Sequence, residues 1–151
     1  MTLKSRLQAD LQQAMRSRDT LRRGVIRYIR SEIHNQEIAK QTDLDETGVL
    51  EVLTRQAQQR RDSIQAYTEG NRVDLADQER AELAIIIEYL PQQLTRHEII
   101  TLVNDVIKDT GAKGPNDIGQ VMGKLMPQVR GRAEGKVVNS IVIEVLGESI
   151  S

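Results

Sequence analysis

Apolar side chains recur at three- and four-residue steps along almost the whole of this 151-residue chain, and nowhere do they alternate with polar ones at every second position. Residues three and four apart share one face of a helix, whereas a strand buried on one side needs a period of two. The β-branched clusters sit inside the helical steps, and no Asn-Gly or Asp-Gly hairpin turn occurs. The pattern predicts an all-α protein.

The helices can be placed in order. Leu3, Leu7, Leu11 and Met15 form a narrow stripe on a first helix, about Leu3 to Ser17, and Asp19 then caps a second. That second helix, about Thr20 to Lys40, turns Leu21, Val25, Ile26, Ile29 and Ile33 inward and Arg23, Arg27, Arg30 and His34 outward. A third helix, capped by Asp43 or Asp45, carries Val49, Leu53, Ala57, Ile64 and Tyr67 and stops at "EGN". In a fourth, Ala76, Leu83, Ile86, Ile87 and Leu90 make the stripe.

Arg60 falls on the apolar stripe of helix three, and an inward cation needs a partner. Glu32 and Glu79 lie on the apolar sides of their own helices, so a pairing of Arg60 with one of them is expected. With no Phe, no Trp and only Tyr28, Tyr67 and Tyr89 as aromatics, the core must be aliphatic.

Pro91 ends the fourth helix, and "PQQL" marks a boundary between an N-terminal antiparallel helical bundle, residues 1–90, and a small three-helix domain, residues 95–151, with residues 91–94 as linker. Thr95 and Glu98 have the spacing of a capping box, with Leu94 and Ile99 placed as its hydrophobic staple. The helix that follows carries Ile99, Val103, Val106 and Ile107 to a stop at Gly111. Gly114 and Pro115 then read as the start of a sixth helix with Ile118, Val121, Met122 and Leu125 inward. Gly119 and Gly123 leave a bare strip on its flank, suited to close helix packing or to ligand approach. A seventh helix, about Gly135 to Leu146, presents Val138, Ile141, Val142 and Val145.

Several chemistries are missing. Without cysteine there is no disulfide, thiolate zinc site or thiol nucleophile, and a reducing cytoplasm is the expected compartment. The N-terminal "MTLKSRLQADLQQAM" sets charges within its apolar pattern, unlike a signal peptide or membrane span. His34 and His97 fall on different predicted domains, so no local metal motif exists and no cofactor is expected. "GRAEGKV" fails as a phosphate-binding loop on spacing, on the missing Ser or Thr after Lys136, and on the absent strand. No nucleophile elbow occurs, and no enzyme activity is specified.

Charge is distributed unevenly although the formal net charge is only −1. Residues 1–30 hold eight cations against Asp10 and Asp19, while residues 74–90 hold five carboxylates against Arg80. The two segments could neutralise each other, or the arginines could meet an anionic partner. A second basic group lies in the connector "PQVRGRAEGK", where Lys124, Arg130, Arg132 and Lys136 surround Gly131 and Gly135. Both glycines permit positive φ, and the amides opening helix seven offer a seat for phosphate.

The run "NDIGQVMGKLMPQVRGRAEGKVVNSIVIEVL", preceded by "SIQAYTEGNRVDLADQERAELAIIIEYLPQQLT", resembles the GatB/YqeY family, and its stand-alone members most closely. The resemblance covers essentially the whole chain. It implies a helical bundle followed by a small helical domain like the tail of the B subunit of the glutamine-dependent tRNA amidotransferase, where that tail contacts tRNA. Its matching positions are Lys124, Gly131, Arg132, Ala133, Gly135, Lys136 and Asn139; Arg130 of the basic connector joins them in the expected RNA site, and the charge pattern adds Arg23, Arg27 and Arg30 as a secondary basic stripe. Glu134 departs from the Asp or Asn common there.

What the resemblance implies is a non-catalytic module that contacts tRNA or a tRNA–protein complex. Association with amidotransferase subunits, and hence with carbon–nitrogen ligase activity, is the second expectation. A protein-docking module without RNA is the third.

Overall fold

A computed structural model describes residues 1–148, and among them it contains seven α-helices and no strand. The chain divides into two compact units, Met1–Leu90 and Pro91–Ser151. The last three positions of the expected C-terminal domain lie outside the described residues.

The first unit holds α1 (Leu3–Arg16), α2 (Thr20–Lys40), α3 (Glu46–Glu69) and α4 (Val73–Ile87). Thr2, Asp19 and Asp45 cap the first three by accepting the N–H groups of Ser5, Arg22 and Gly48. Each side chain thereby satisfies an amide that has no partner within its helix. The chain leaves these helices through left-handed backbone at Arg18, Gln41 and Asn71, with φ of 60°, 56° and 59°.

The core of this unit is aliphatic apart from Tyr89, with Leu7, Ile26, Ile29, Leu53 and Ile86 almost wholly excluded from solvent. Tyr89 donates its hydroxyl to Asp10 at 2.5 Å, and the Arg6 guanidinium stacks 4.6 Å from the centre of its ring. Burial, and then the hydrogen bond to Asp10, push the Tyr89 phenol well above its ordinary range.

Three positions depart from the sequence reading, the first being Leu21, expected inward on α2 yet 42% exposed. Met15 is 49% exposed and Ala14 is buried in its place. At 3.6 residues per turn, each four-residue step rotates about 40°, so a stripe read at strict fours drifts off the contact face within three steps. Arg60 is buried as expected, yet it pairs with neither Glu32 nor Glu79. Its guanidinium hydrogen-bonds Gln56 one turn back and lies 5.0 Å from the centre of the Tyr28 ring, while its Nε finds no partner.

The second unit holds α5 (Arg96–Thr110), a 3-10 turn (Pro115–Asp117), α6 (Ile118–Val129) and α7 (Gly135–Glu148). The capping box forms in full. The Thr95 hydroxyl accepts the Glu98 N–H at 3.1 Å, and the Glu98 carboxylate accepts the Thr95 N–H at 3.1 Å. Gly111 ends α5 at φ 71°. The core of this unit gathers Val103, Val106, Val121, Leu125, Ile141 and Val142.

Helix α6 runs through Pro127 to Val129, further than the connector "PQVRGRAEGK" implies. Proline removes the donor for the carbonyl of Gly123, four residues back. Gly123 is exposed, so water can replace that donor. The true connector shrinks to residues 130–134.

Candidate anion-binding surfaces

The connector is a built turn. Gly131 is buried at φ 77°, where a side chain would be strained. Its carbonyl accepts the Gln93 side-chain amide at 2.8 Å, and the Arg132 carbonyl accepts the Leu94 N–H at 2.8 Å. The Arg132 guanidinium reaches the Gln92 carbonyl at 3.4 Å. Residues 92–94 are thus laced onto the loop between α6 and α7.

This accounts structurally for part of the motif. Gly131 and Arg132 hold the turn, whereas Lys124, Arg130, Lys136 and Asn139 are exposed. Lys124 lies 3.9 Å from Asp109, a solvent-screened pairing of small energetic weight. Gly135 begins α7 without the positive φ its sequence permits, and an added Cβ there would meet nothing within 4 Å. Glu134 supplies the first helical acceptor of α7, its carbonyl taking the Val138 N–H. That bond is made by the backbone and is independent of whether the side chain is Glu, Asp or Asn.

A second basic surface lies in the first unit. An open groove of about 660 Å³ runs along α1 and α2, with Lys4, Gln8, Arg27, Arg30, Ser31 and His34 among its lining residues. Lys4 and Gln8 on α1, like Arg27, Arg30, Ser31 and His34 on α2, repeat at three- and four-residue steps, so each set shares one helix face. Leu7, Leu11 and Ile33 also line it, but each is nearly buried.

Arg23, the other member of the predicted stripe, does not line this groove. The acidic segment 74–90 accounts for only part of the N-terminal surplus, through an ion pair between Arg22 and Glu88, just past the end of α4, at 2.9 Å. Lys4 and Gln8 escaped the sequence reading as partners of Arg27, Arg30 and His34. Their signal was present as spacing, but which faces of α1 and α2 would adjoin was not.

Among the described residues no cluster of His, Cys, Asp or Glu could hold a metal ion, and no helix is long and apolar enough to cross a membrane. A family model described as Yqey-like protein matches residues 4–146. The chain belongs to the YqeY family.

Curated relatives share the name "Altered inheritance of mitochondria protein 41, mitochondrial". The one from Vanderwaltozyma polyspora is 36% identical over 120 residues, covering 74% of this chain and 64% of its own length. The one from Kluyveromyces lactis is 36% identical over 124 residues, covering 79% of this chain and 66% of the relative. The one from Pyrenophora tritici-repentis is 30% identical over 145 residues, covering 94% and 80%. The chain thus spans less than two thirds of the first two YqeY-family relatives.

The cytoplasmic placement expected from the sequence is contradicted by these relatives, which are named as mitochondrial proteins. The physical reason is plain. A lack of cysteine bears on redox chemistry, and a folded domain's composition does not encode its address, which targeting segments carry.

Proposed function

We propose that this YqeY-family chain is a non-catalytic module that contacts tRNA or a tRNA–protein complex, its second unit acting as a small three-helix domain after an N-terminal antiparallel bundle. The supporting observation is the exposure of Lys124, Arg130, Lys136 and Asn139 around a turn pinned by Gly131 and Arg132. Cations on a fixed turn lose little further entropy on meeting phosphate, and the amide groups opening α7 add a favourable dipole. With aromatics at 2% of the chain, base stacking has little to work with, so backbone phosphate is the natural target.

The test is tRNA binding by fluorescence anisotropy across a salt series. Wild type is compared with a variant carrying Lys124→Ala, Arg130→Ala and Lys136→Ala, both verified as helical. Weaker binding with a shallower salt slope is expected, by about 0.7–0.9 in log–log slope for each phosphate no longer neutralised. Equal affinity and slope for the two proteins would refute the reading.

A protein-docking role is the second reading, favoured by the strip at Gly119 and Gly123. Both are exposed, and an added Cβ at either would meet nothing within 4 Å. Amidotransferase subunits are the partners this reading would test first, by copurification at high salt.

A further inference from the structure

We propose that the groove along α1 and α2 binds a small, hydroxyl-bearing organic phosphate of the sugar-phosphate class. Arg27 and Arg30 stand about one helical turn apart on its wall, and among the described residues neither is in an ion pair. Among the described residues the Arg27 guanidinium donates a side-chain hydrogen bond only to Met15 Sδ, at 4.0 Å. Two guanidinium groups so placed, each with forked donors and no carboxylate, match a phosphate dianion.

The single carboxylate of the groove is already engaged. Glu37 Oε2 accepts Lys4 Nζ at 2.5 Å and the Leu44 N–H at 2.8 Å. These bonds, that to Lys4 foremost, hold its carboxyl below the usual range. With the Lys4 ammonium balancing its charge, it opposes an incoming phosphate less than a bare carboxylate would.

The neutral lining residues narrow the ligand further. Gln8, Ser31 and Asn35 line the groove and make no side-chain hydrogen bond among the described residues. A hydroxyl and two amides can both donate and accept, as sugar hydroxyls require. No aromatic side chain lines the groove, so a nucleobase would find no stacking platform. Leu7, Leu11 and Ile33 are each buried, so no large apolar side chain stands open in the groove to anchor a lipid chain or an amphipathic helix. A volume of about 660 Å³ falls within the roughly 300–1,000 Å³ of small-molecule sites.

The probe is ribose 5-phosphate, titrated into isotopically labelled full-length protein and followed by amide chemical shifts. Movement confined to residues such as Gln8, Arg27, Ser31 and Asn35 is expected, with affinity at least tenfold above that for ribose or inorganic phosphate. The double variant Arg27→Ala, Arg30→Ala should bind at least tenfold more weakly, and Arg55→Ala on α3 should bind as wild type. If the alanine variant fails to fold, Arg27→Gln with Arg30→Gln takes its place.

Unmoved amides, or equal affinity in the double variant, would overturn the proposal. So would inorganic phosphate binding as tightly as the sugar phosphate. A short RNA oligonucleotide that shifts these amides while ribose 5-phosphate does not would also overturn it, assigning the groove to polymer phosphate. The Lys124→Ala, Arg130→Ala, Lys136→Ala variant should retain ribose 5-phosphate binding, so the groove and the connector succeed or fail separately.

Discussion

Arg60 is a cation in an aliphatic core, held by a neutral amide and an aromatic face instead of a carboxylate. One carboxylate that feels its charge lies on α4. Burial, followed by Glu79, raises the Glu82 carboxyl, and Arg60 pulls it back. Replacing Arg60 alone with Met should strand the buried Gln56 oxygen and cost about 1–3 kcal/mol. Replacing both, Gln56→Leu with Arg60→Met, removes the orphan, and the double variant should be as stable as wild type or more so. Urea denaturation of the three proteins checks both statements. The inward position of Arg60 was readable from its place on the stripe. Its partner was not, because Glu32, Glu79 and Gln56 are equally plausible until the helices take their rotations.

Helix ends and bare helix positions supply predictions at the next scale. In α5 the Thr95 backbone N–H, then the Thr95 side chain, hold the Glu98 carboxyl below its ordinary value. A carboxyl depressed in the folded state stabilises above its unfolded pKa, and the contribution is lost as pH falls through the folded value. The melting temperature of Glu98→Gln should therefore lie below wild type at pH 7. The gap should close as pH drops below the unfolded-state value of about 4.3. Gly119 and Gly123 lie inside α6 with open space around them, so alanine at each should add about 1 kcal/mol of stability, measured by thermal melting. Gly131→Ala should do the reverse, since its φ of 77° favours glycine, with a loss of about 1 kcal/mol or more. Caps and stops were legible because they are local chemistry. Gly131 and Gly135 looked alike in sequence, and only the lacing of residues 92–94 onto the loop separates the glycine held at positive φ from the ordinary one.

The molecule as a whole contains two separate aliphatic cores, one within Met1–Leu90 and one within Pro91–Ser151. Each should suffice for folding. Residues 1–90 and 91–151, expressed apart, are expected to show helical circular dichroism and a cooperative melt; a non-cooperative melt of either piece would refute this. The order of amino acids was enough to set the all-helical class, the caps at Asp19 and Thr95, and membership of a family through its glycine-punctuated motif. Those features depend on residues within a turn or two of one another, where the period of 3.6 and the valence of a side chain leave few alternatives. Tertiary packing settled that Arg27 and Arg30 share a groove with Lys4, that Arg60 leans on Tyr28, and that Gly131 anchors the linker. Each of these joins residues distant in sequence, and a helix presents the same stripe to any neighbour until packing selects the rotation that buries it best.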